Sequence, residues 1–253
     1  MKSIFLSLGL LMLSSATLPV LASSAQTVTA APVSSTEYTG YQVTGPYTTL
    51  RVEGTWIVPT ANCAETPNSV SNISIIIDGI SGEKDAMEIG TYQDCTNGVA
   101  SYGAFLNIYP VTSYYGNSSD LSKFVVHPGD EVEAQGTWRS PGQPIDWNTN
   151  FVDITSGNKL DTDARTASGF KPVQNSGAIL LSSDGKTLTA LTTISSGEQY
   201  VKYEKSDITG PEMVENTFGT EGAMTGYTLT SYQMSGTTLS ALTDGGSSFQ
   251  ITF

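Results

Sequence analysis

Residues 71–110 decide the fold, and they read SNISIIIDGISGEKDAMEIGTYQDCTNGVASYGAFLNIYP. An apolar run ends at Asp78, and a polar connector then leads to a second run that carries Glu88. A turn at Asn97-Gly98 precedes a third run, which is rich in aromatic residues. Short β-branched and aromatic runs separated by such turns are typical of antiparallel strands. The segment therefore predicts three consecutive strands, with two carboxylates near strand ends.

The same pattern continues from Glu37 to the end of the chain. Turn-forming residues such as Asp184-Gly185 separate the runs, and no helical stripe is longer than three turns. Many short strands at this spacing favour an all-β fold, a sandwich of two antiparallel sheets of the concanavalin-like jelly-roll kind. Besides the strand that carries Glu88, the predicted strands include Leu50–Val58, Ile73–Ile77, Ala100–Tyr109, Glu131–Trp138, Phe151–Ile154, Ala178–Leu181, Leu188–Thr193, Tyr200–Tyr203, Tyr227–Met234 and Phe249–Phe253.

The charge of the chain excludes polyanionic partners. The 253 residues include 24 acidic and 11 basic side chains, a net charge of -13, and the basic residues form no run. Nucleic acid and an anionic membrane surface are therefore not expected partners. Only 14% of the residues are charged, so the fold depends little on ion pairs that fail when carboxylates become protonated. This composition suits an acidic exterior.

The first residues resemble a secretory signal peptide. Lys2 precedes a short apolar run, and a small-residue cleavage site follows at Ala22 or at Ala25. The run is too short to span a membrane, and no later segment reaches about 18 apolar residues. We expect a signal peptide at 1–22, a flexible arm at 23–37 and one β-sandwich domain at 38–253. The mature protein is then secreted, extracellular and monomeric.

The small numbers of cysteine and histidine residues limit the kinds of catalytic site that the chain can form. The only two cysteines are Cys63 and Cys95, and an exported pair of cysteines usually forms a disulfide. Closing a loop of about 30 residues stabilises a fold by roughly 3 to 4 kcal/mol in the chain-entropy model. The single histidine, His127, precedes a turn and suggests a surface role. We therefore expect no metal and no cofactor, and we expect carboxylates to carry any catalysis.

Seven segments occur in the order that a known family shows. They read EYTGY at 37–41, VEGTWIVP at 52–59, IDG at 77–79, IGTYQD at 89–94, HPGDEV at 127–132, DITSG at 153–157 and LTDGGSSFQITF at 242–253. In order and spacing they resemble the eqolisins, the glutamic peptidases, over nearly the whole mature chain. The resemblance implies a two-sheet β-sandwich with a cleft on a concave face. It also implies a secreted endopeptidase that works at acid pH.

The resemblance also implies a catalytic dyad, and this sequence departs from it. In the family a glutamate is the general base for a water, and a glutamine amide holds that water and the oxyanion. The position of the glutamine falls on Glu88. The position of the glutamate falls on Ala178 in one register and on Glu198 in a second. A tryptophan that the family carries before Ile-Asp-Gly falls on Ser74.

Three functions remain open on these residues. In the first, Glu198 is the base of an acid endopeptidase, and a protonated Glu88 donates the hydrogen bond of the missing amide. In the second, Asp78 and Glu88 share a proton and catalyse aspartic-type or glycosidase-type hydrolysis. In the third, the dyad is lost and the sandwich binds extracellular peptides or glycans without cleaving them.

Aromatic side chains on the predicted strands are candidates for the substrate cleft. Trp56 follows the Gly-Thr pair of the VEGTWIVP segment, and Tyr102 and Phe105 lie in the third strand of the opening stretch. Aromatic faces stack on peptides and sugars, but they pack equally well inside a sheet sandwich. Both roles stay open for these three residues.

Overall fold

The computed structural model describes eleven ranges of the chain: 31–45, 48–77, 86–109, 111–116, 124–138, 146–166, 175–183, 186–207, 210–217, 228–243 and 246–253. The predicted signal peptide and Asp78 lie outside these ranges. In the described part no helix has the length and apolar character needed to cross a membrane.

The described residues form β-strands joined by turns and loops. The early strands are β1 (Val33–Ser35), β2 (Tyr38–Thr44), β3 (Thr48–Ile57), β4 (Asn72–Ile77), β5 (Ala86–Thr96), β6 (Val99–Tyr109), β7 (Val111–Gly116) and β8 (Glu131–Trp138). The later strands are β9 (Asp146–Asp153), β10 (Asn158–Thr166), β11 (Asn175–Ser182), β12 (Ile194–Asp207), β13 (Gly210–Thr217), β14 (Thr228–Met234), β15 (Thr238–Leu239) and β16 (Gln250–Thr252).

The strands build two sheets, which confirms the predicted all-β sandwich. The first sheet has seven strands in the order β1-β14-β2-β11-β4-β5-β6. The second has the order β15-β16-β12-β3-β8-β9-β10-β7, with β13 added beside β12. Among the described strand pairs only β1 and β14 run parallel.

Alternating side chains place the core between the two sheets. On β8 every second residue is buried, from Val132 to Trp138. Met87 of the first sheet fills the space over Gly136 of the second, where a Cβ would lie 1.8 Å from the Met87 Cε. Trp56 is 1% exposed, and its Nε1 donates a hydrogen bond to Thr91 Oγ1 at 3.1 Å across the interface. The inner faces therefore interlock at β3, β5 and β8.

A disulfide joins Cys63 to Cys95, as the sequence predicts. The two Cα atoms are 5.4 Å apart, and the bridge closes a loop with a sequence separation of 32. Beside it, Ser69 and Cys95 exchange two backbone hydrogen bonds, of 3.0 and 2.9 Å. The bridge therefore fixes the loop between β3 and β4 to the far end of β5.

Two local expectations are wrong. The predicted strand Leu188–Thr193 contains only isolated bridges, from Leu188 to Val70 and from Leu191 to Ala61. This segment connects β11 of the first sheet to β12 of the second, so its apolar residues pack at a crossover instead of along a ladder. Part of the predicted flexible arm, Val33–Ser35, is paired with β14 as β1.

Tyr41 of β2 provides a pH-dependent contribution to stability. Its ring is 3% exposed, its hydroxyl donates to the Ser240 carbonyl at 2.6 Å, and burial raises the pKa of Tyr41 to about 12. Because the folded state disfavours the phenolate, this contribution is complete below the ordinary pKa near 10 and is lost as pH rises toward 12.

We expect the parent chain to lose on the order of 2 kcal/mol of unfolding free energy through Tyr41 between pH 9 and 12. Denaturant unfolding of the parent and of Tyr41→Phe at pH 8 and at pH 11.5 measures this term. The variant lacks the ionisable group and should show a smaller alkaline loss. Equal alkaline losses in the parent and in Tyr41→Phe would contradict the prediction.

Candidate functional site

Glu88 lies on the outer face of the first sheet, the face turned away from the second sheet. On β5 the odd-numbered residues, including Met87 and Thr91, point into the core. The even-numbered residues are Glu88, Gly90, Tyr92 and Asp94, and they form the opposite side of the strand. Glu88 is half-buried. Its carboxylate is therefore partly accessible to solvent and is flanked by residues of the neighbouring strands β4 and β6.

Two hydrogen-bond donors on the flanking strands hold the Glu88 carboxylate. The Ser74 hydroxyl of β4 donates to Glu88 Oε1 at 2.7 Å, and the Asn107 amide of β6 approaches Oε2 at 3.4 Å. Ser74 is 1% exposed, whereas Asn107 is exposed. A carboxylate with two donors on different strands is held in one orientation.

Gly90 lets β4 approach β5 closely at this point. A Cβ at Gly90 would lie 2.0 Å from the Ile73 carbonyl oxygen and 2.8 Å from the Ser74 Cβ. Any other residue there would push β4 away from β5. The glycine of the IGTYQD segment is therefore required for the contact between Ser74 and Glu88.

The strand that should supply the general base carries no carboxylate. β11 borders β4, and the register places Gly177 beside Ile76, which is itself paired with Glu88. The ladder shifts between Gly177 and Leu180, and Ala178 lies within this shift. No Asp or Glu occurs in Asn175–Ser182. The first register of the sequence analysis thus leads to a strand in the same sheet as Glu88, with alanine where that register expects the glutamate.

Glu198 lies on β12, in the second sheet. The ladder between β12 and β3 shifts between Ser196 and Gln199, and Glu198 falls in that shift. The Glu88 side chain is on the face of the first sheet that points away from β12. The described structure therefore does not bring the Glu88 carboxylate to the strand of Glu198. Asp78, the other proposed carboxylate, is outside the described residues.

Only one of the three aromatic cleft candidates lies on the face of Glu88. Trp56 is enclosed between the sheets, in edge contact with Phe151 at a centroid distance of 6.2 Å, so the cleft assignment of Trp56 is corrected to core packing. Tyr102 packs against the core, and its hydroxyl accepts a hydrogen bond from the Ala61 amide at 3.0 Å. Phe105 is paired with Gly90 and half-buried, on the same side of the sheet as Glu88.

Sequence reasoning missed the roles of Ser74 and Asn107. Both lie on strands that flank β5, and their register with Glu88 follows once the three strands are paired. The sequence did contain one signal that could have pointed to Ser74, because the resemblance implies a tryptophan at that position.

A second group of charged side chains lies on the outer face of the second sheet. Arg51 and Glu53 of β3 form an ion pair, and Glu133 of β8 is close to both. Burial, and then the negative charge of Glu53, raise the pKa of Glu133, while Arg51 and Lys159 lower it to a smaller extent. The folded state therefore binds the Glu133 proton more tightly than the unfolded chain does.

Replacing Glu133 by Gln is expected to stabilise the protein at pH 7 and to have little effect at pH 3. The reason is the sign of the shift: a raised carboxyl pKa favours folding in acid, and the advantage is lost as pH rises through the titration range. Urea unfolding at the two pH values measures the change. The Glu131→Gln variant alters an exposed carboxylate of the same strand and serves as the control. A loss of stability at pH 7 in Glu133→Gln would contradict the prediction.

The described residues include no group of three or more His, Cys, Asp or Glu side chains that would hold a metal ion. His127 lies at a turn, where its backbone amide donates to Asp130 Oδ2 at 2.7 Å and its ring is mostly exposed.

Comparisons with known proteins agree with one another on the fold. The profile of the Peptidase A4 family matches residues 36–253. A crystal structure of scytalido-glutamic peptidase with a transition state analog inhibitor is similar with a TM-score of 0.58 and 13% identity, covering 86% of this chain and 98% of that one. SCP-B, a member of the eqolisin family in a complex with the tripeptide Ala-Ile-His, gives a TM-score of 0.55 and 12% identity, with the same coverage. No curated protein sequence matches the chain.

Proposed function

Because this chain belongs to the Peptidase A4 family, we propose that it is an extracellular polypeptide-binding member that has lost the general base of a glutamic peptidase. One observation carries the proposal. Glu88 stands where the resemblance places the glutamine, and β11, the strand expected to supply the glutamate, contains no carboxylate. Without a base to activate water, the hydrolytic step lacks a contribution of typically 10²- to 10⁴-fold.

The outer face around Glu88 has the chemistry of a polypeptide-binding surface. Glu88 and Asn107 offer polar groups, and Phe105 lies one residue pair further along the same side of the sheet. Tyr92 continues the row, with its ring over Gly103, where a Cβ would lie 2.5 Å from the tyrosine hydroxyl. An extended polypeptide that crosses this face meets hydrogen-bonding groups beside aromatic surface, a combination found in many binding sites.

The relatives support a polypeptide ligand over a glycan. The crystallised scytalido-glutamic peptidase holds a transition state analog inhibitor, and SCP-B holds a tripeptide. Export is supported by the apolar segment that follows Lys2 and by the disulfide between Cys63 and Cys95, a bond that persists in oxidising compartments. We propose that the mature chain binds unfolded or extended polypeptides outside the cell.

The test combines binding and cleavage in one set of samples. Fluorescein-labelled, unstructured ten-residue peptides are titrated with the mature chain between pH 2 and 7, and binding is followed by fluorescence anisotropy. Mass spectrometry of the same samples detects cleavage. We expect binding without cleavage by the parent, at least tenfold weaker binding by Glu88→Ala, and unchanged binding by Glu131→Ala, an exposed site on the other sheet.

Two results would overturn the proposal. Acid-dependent cleavage that disappears in Glu198→Ala or in Glu88→Ala would identify an active peptidase. Retention on a polysaccharide column without any peptide binding would identify a glycan-binding protein.

A further inference from the structure

Ser74 makes a contact that the family mechanism does not use. Its hydroxyl donates to Glu88 Oε1 at 2.7 Å from a position that is 1% exposed. The resemblance assigns a tryptophan to this position, and an indole has no hydroxyl for such a short bond. This chain therefore differs from the pattern that the resemblance implies at both ends of the contact, with serine at position 74 and glutamate at position 88.

The hydrogen bond favours the ionised form of Glu88. A donor directed at a carboxylate oxygen stabilises the charged state, and charge-assisted bonds are roughly twice as strong as neutral ones. The Asn107 amide adds a longer contact on the second oxygen. Both groups donate, so neither competes with Glu88 for a proton.

The register places four described side chains beside Glu88 on the flanking strands. On the outer face of β4 the described neighbours of Glu88 are Ser74 and Ile76, and on β6 they are Asn107 and Phe105, none of which ionises. The ionisable side chains on the same side of β5 are Tyr92 and Asp94, four and six residues away. Of the two hydrogen bonds described above for the Glu88 carboxylate, the one from Ser74 is the shorter.

We propose that Ser74 is a positioning residue that holds Glu88 ionised, so that this face binds polypeptides through groups that donate hydrogen bonds. An ionised carboxylate only accepts hydrogen bonds, whereas the glutamine amide implied for the relatives also donates them. The ligand groups that fit Glu88 are thus peptide N–H groups and the ammonium or guanidinium groups of basic side chains. The statement about the ligand rests on the proposed function, whereas the statement about Ser74 does not.

The titration of Glu88 tests the role of Ser74 directly. Carboxyl-labelled glutamate is followed by carbon NMR from pH 2 to 8 in the parent, Ser74→Ala, Ser74→Thr and Ser71→Ala, and the Glu88 signal is assigned with Glu88→Gln. We expect the midpoint to rise by about one pH unit in Ser74→Ala and to stay near the parent value in Ser74→Thr. Ser71→Ala removes another buried hydroxyl, which donates to the Gln93 carbonyl, and should leave the midpoint unchanged.

An unchanged midpoint in folded Ser74→Ala would overturn the role of Ser74. If Ser74→Ala fails to fold, Ser74→Cys takes its place, because a thiol is a weak donor of similar size.

The ligand half of the proposal is tested with two peptides that differ at one residue. Labelled ten-residue peptides containing one lysine or one norleucine are titrated at each pH. Binding of the lysine peptide should weaken as pH falls through the Glu88 midpoint, and in Ser74→Ala this weakening should begin about one pH unit higher. Equal binding of both peptides at all pH values would overturn the ligand assignment. Absence of binding to the parent at every pH would instead overturn the proposed function, and the NMR result for Ser74 would still stand.

Discussion

The double variant Glu88→Gln/Ala178→Glu is expected to cleave denatured polypeptides at acid pH, at a rate about 10²- to 10⁴-fold above that of the parent chain. The change restores both members of the dyad that the resemblance implies. β11 and β5 both border β4, so their backbones are about 10 Å apart, two strand spacings. Position 178 is therefore on a strand that only β4 separates from β5. Mass spectrometry of a denatured protein incubated between pH 2 and 7 measures the cleavage.

Three companion variants identify the source of any activity. Glu88→Gln/Ala178→Gln has the same side-chain size at position 178 but no base, and it should be inactive. Ala178→Glu alone should be weaker than the double variant, because Glu88 then offers an acceptor in place of the amide. Cleavage by Glu88→Gln alone would point to Glu198 and to the second register. A folded but inactive double variant would show that position 178 is not the missing glutamate.

Removing the disulfide with Cys63→Ala/Cys95→Ala is expected to lower the unfolding free energy by about 3 to 4 kcal/mol. The bridge closes a loop with a sequence separation of 32, and its loss enlarges the conformational freedom of the unfolded chain. For a domain of this size the midpoint of thermal unfolding should fall by about 10 °C. Calorimetry at pH 5 of the parent and the double variant measures the difference.

The parent itself supplies the control for this second prediction. Both of its cysteines are in the bridge, so reduction breaks the Cys63–Cys95 bond and no other disulfide. The reduced parent should unfold at the same temperature as the double variant. A reduced parent as stable as the oxidised one would mean that the loop between Cys63 and Cys95 is held by its other contacts, such as the backbone pair of Ser69 with Cys95.

The sequence was a good guide to strands whose side chains alternate and whose ends are marked by turns. The strand after Asn97-Gly98 follows such a turn, and the alternation on β8 is regular. It was a poor guide at Leu188–Thr193, because an apolar run does not distinguish a strand from a crossover that packs against both sheets. The polar strand β10 was also missed, since only Leu160 and Thr162 of its described side chains are buried.

The candidate site was predictable at the level of one residue and not at the level of its neighbours. Glu88 followed from the Gly90 that comes after it and from the resemblance. Identifying Ser74 and Asn107 as neighbours of Glu88 required the register of three strands. A shift of one residue in that register would have placed their side chains on the opposite face of the sheet. Trp56 was misplaced because aromatic residues are equally suited to a core and to a binding face.

The alternation of buried and outward-facing side chains along β5 has a use in protein engineering. The odd-numbered positions from Met87 to Cys95 are buried, so they can be left as they are while the outward-facing positions are varied. Glu88 and Tyr92, with Asn107 and Phe105 across the ladder, are candidates for randomisation in a display library. Gly90 must remain glycine because of the Ile73 carbonyl. The disulfide-bonded sandwich would then act as a scaffold on which new peptide specificities can be selected.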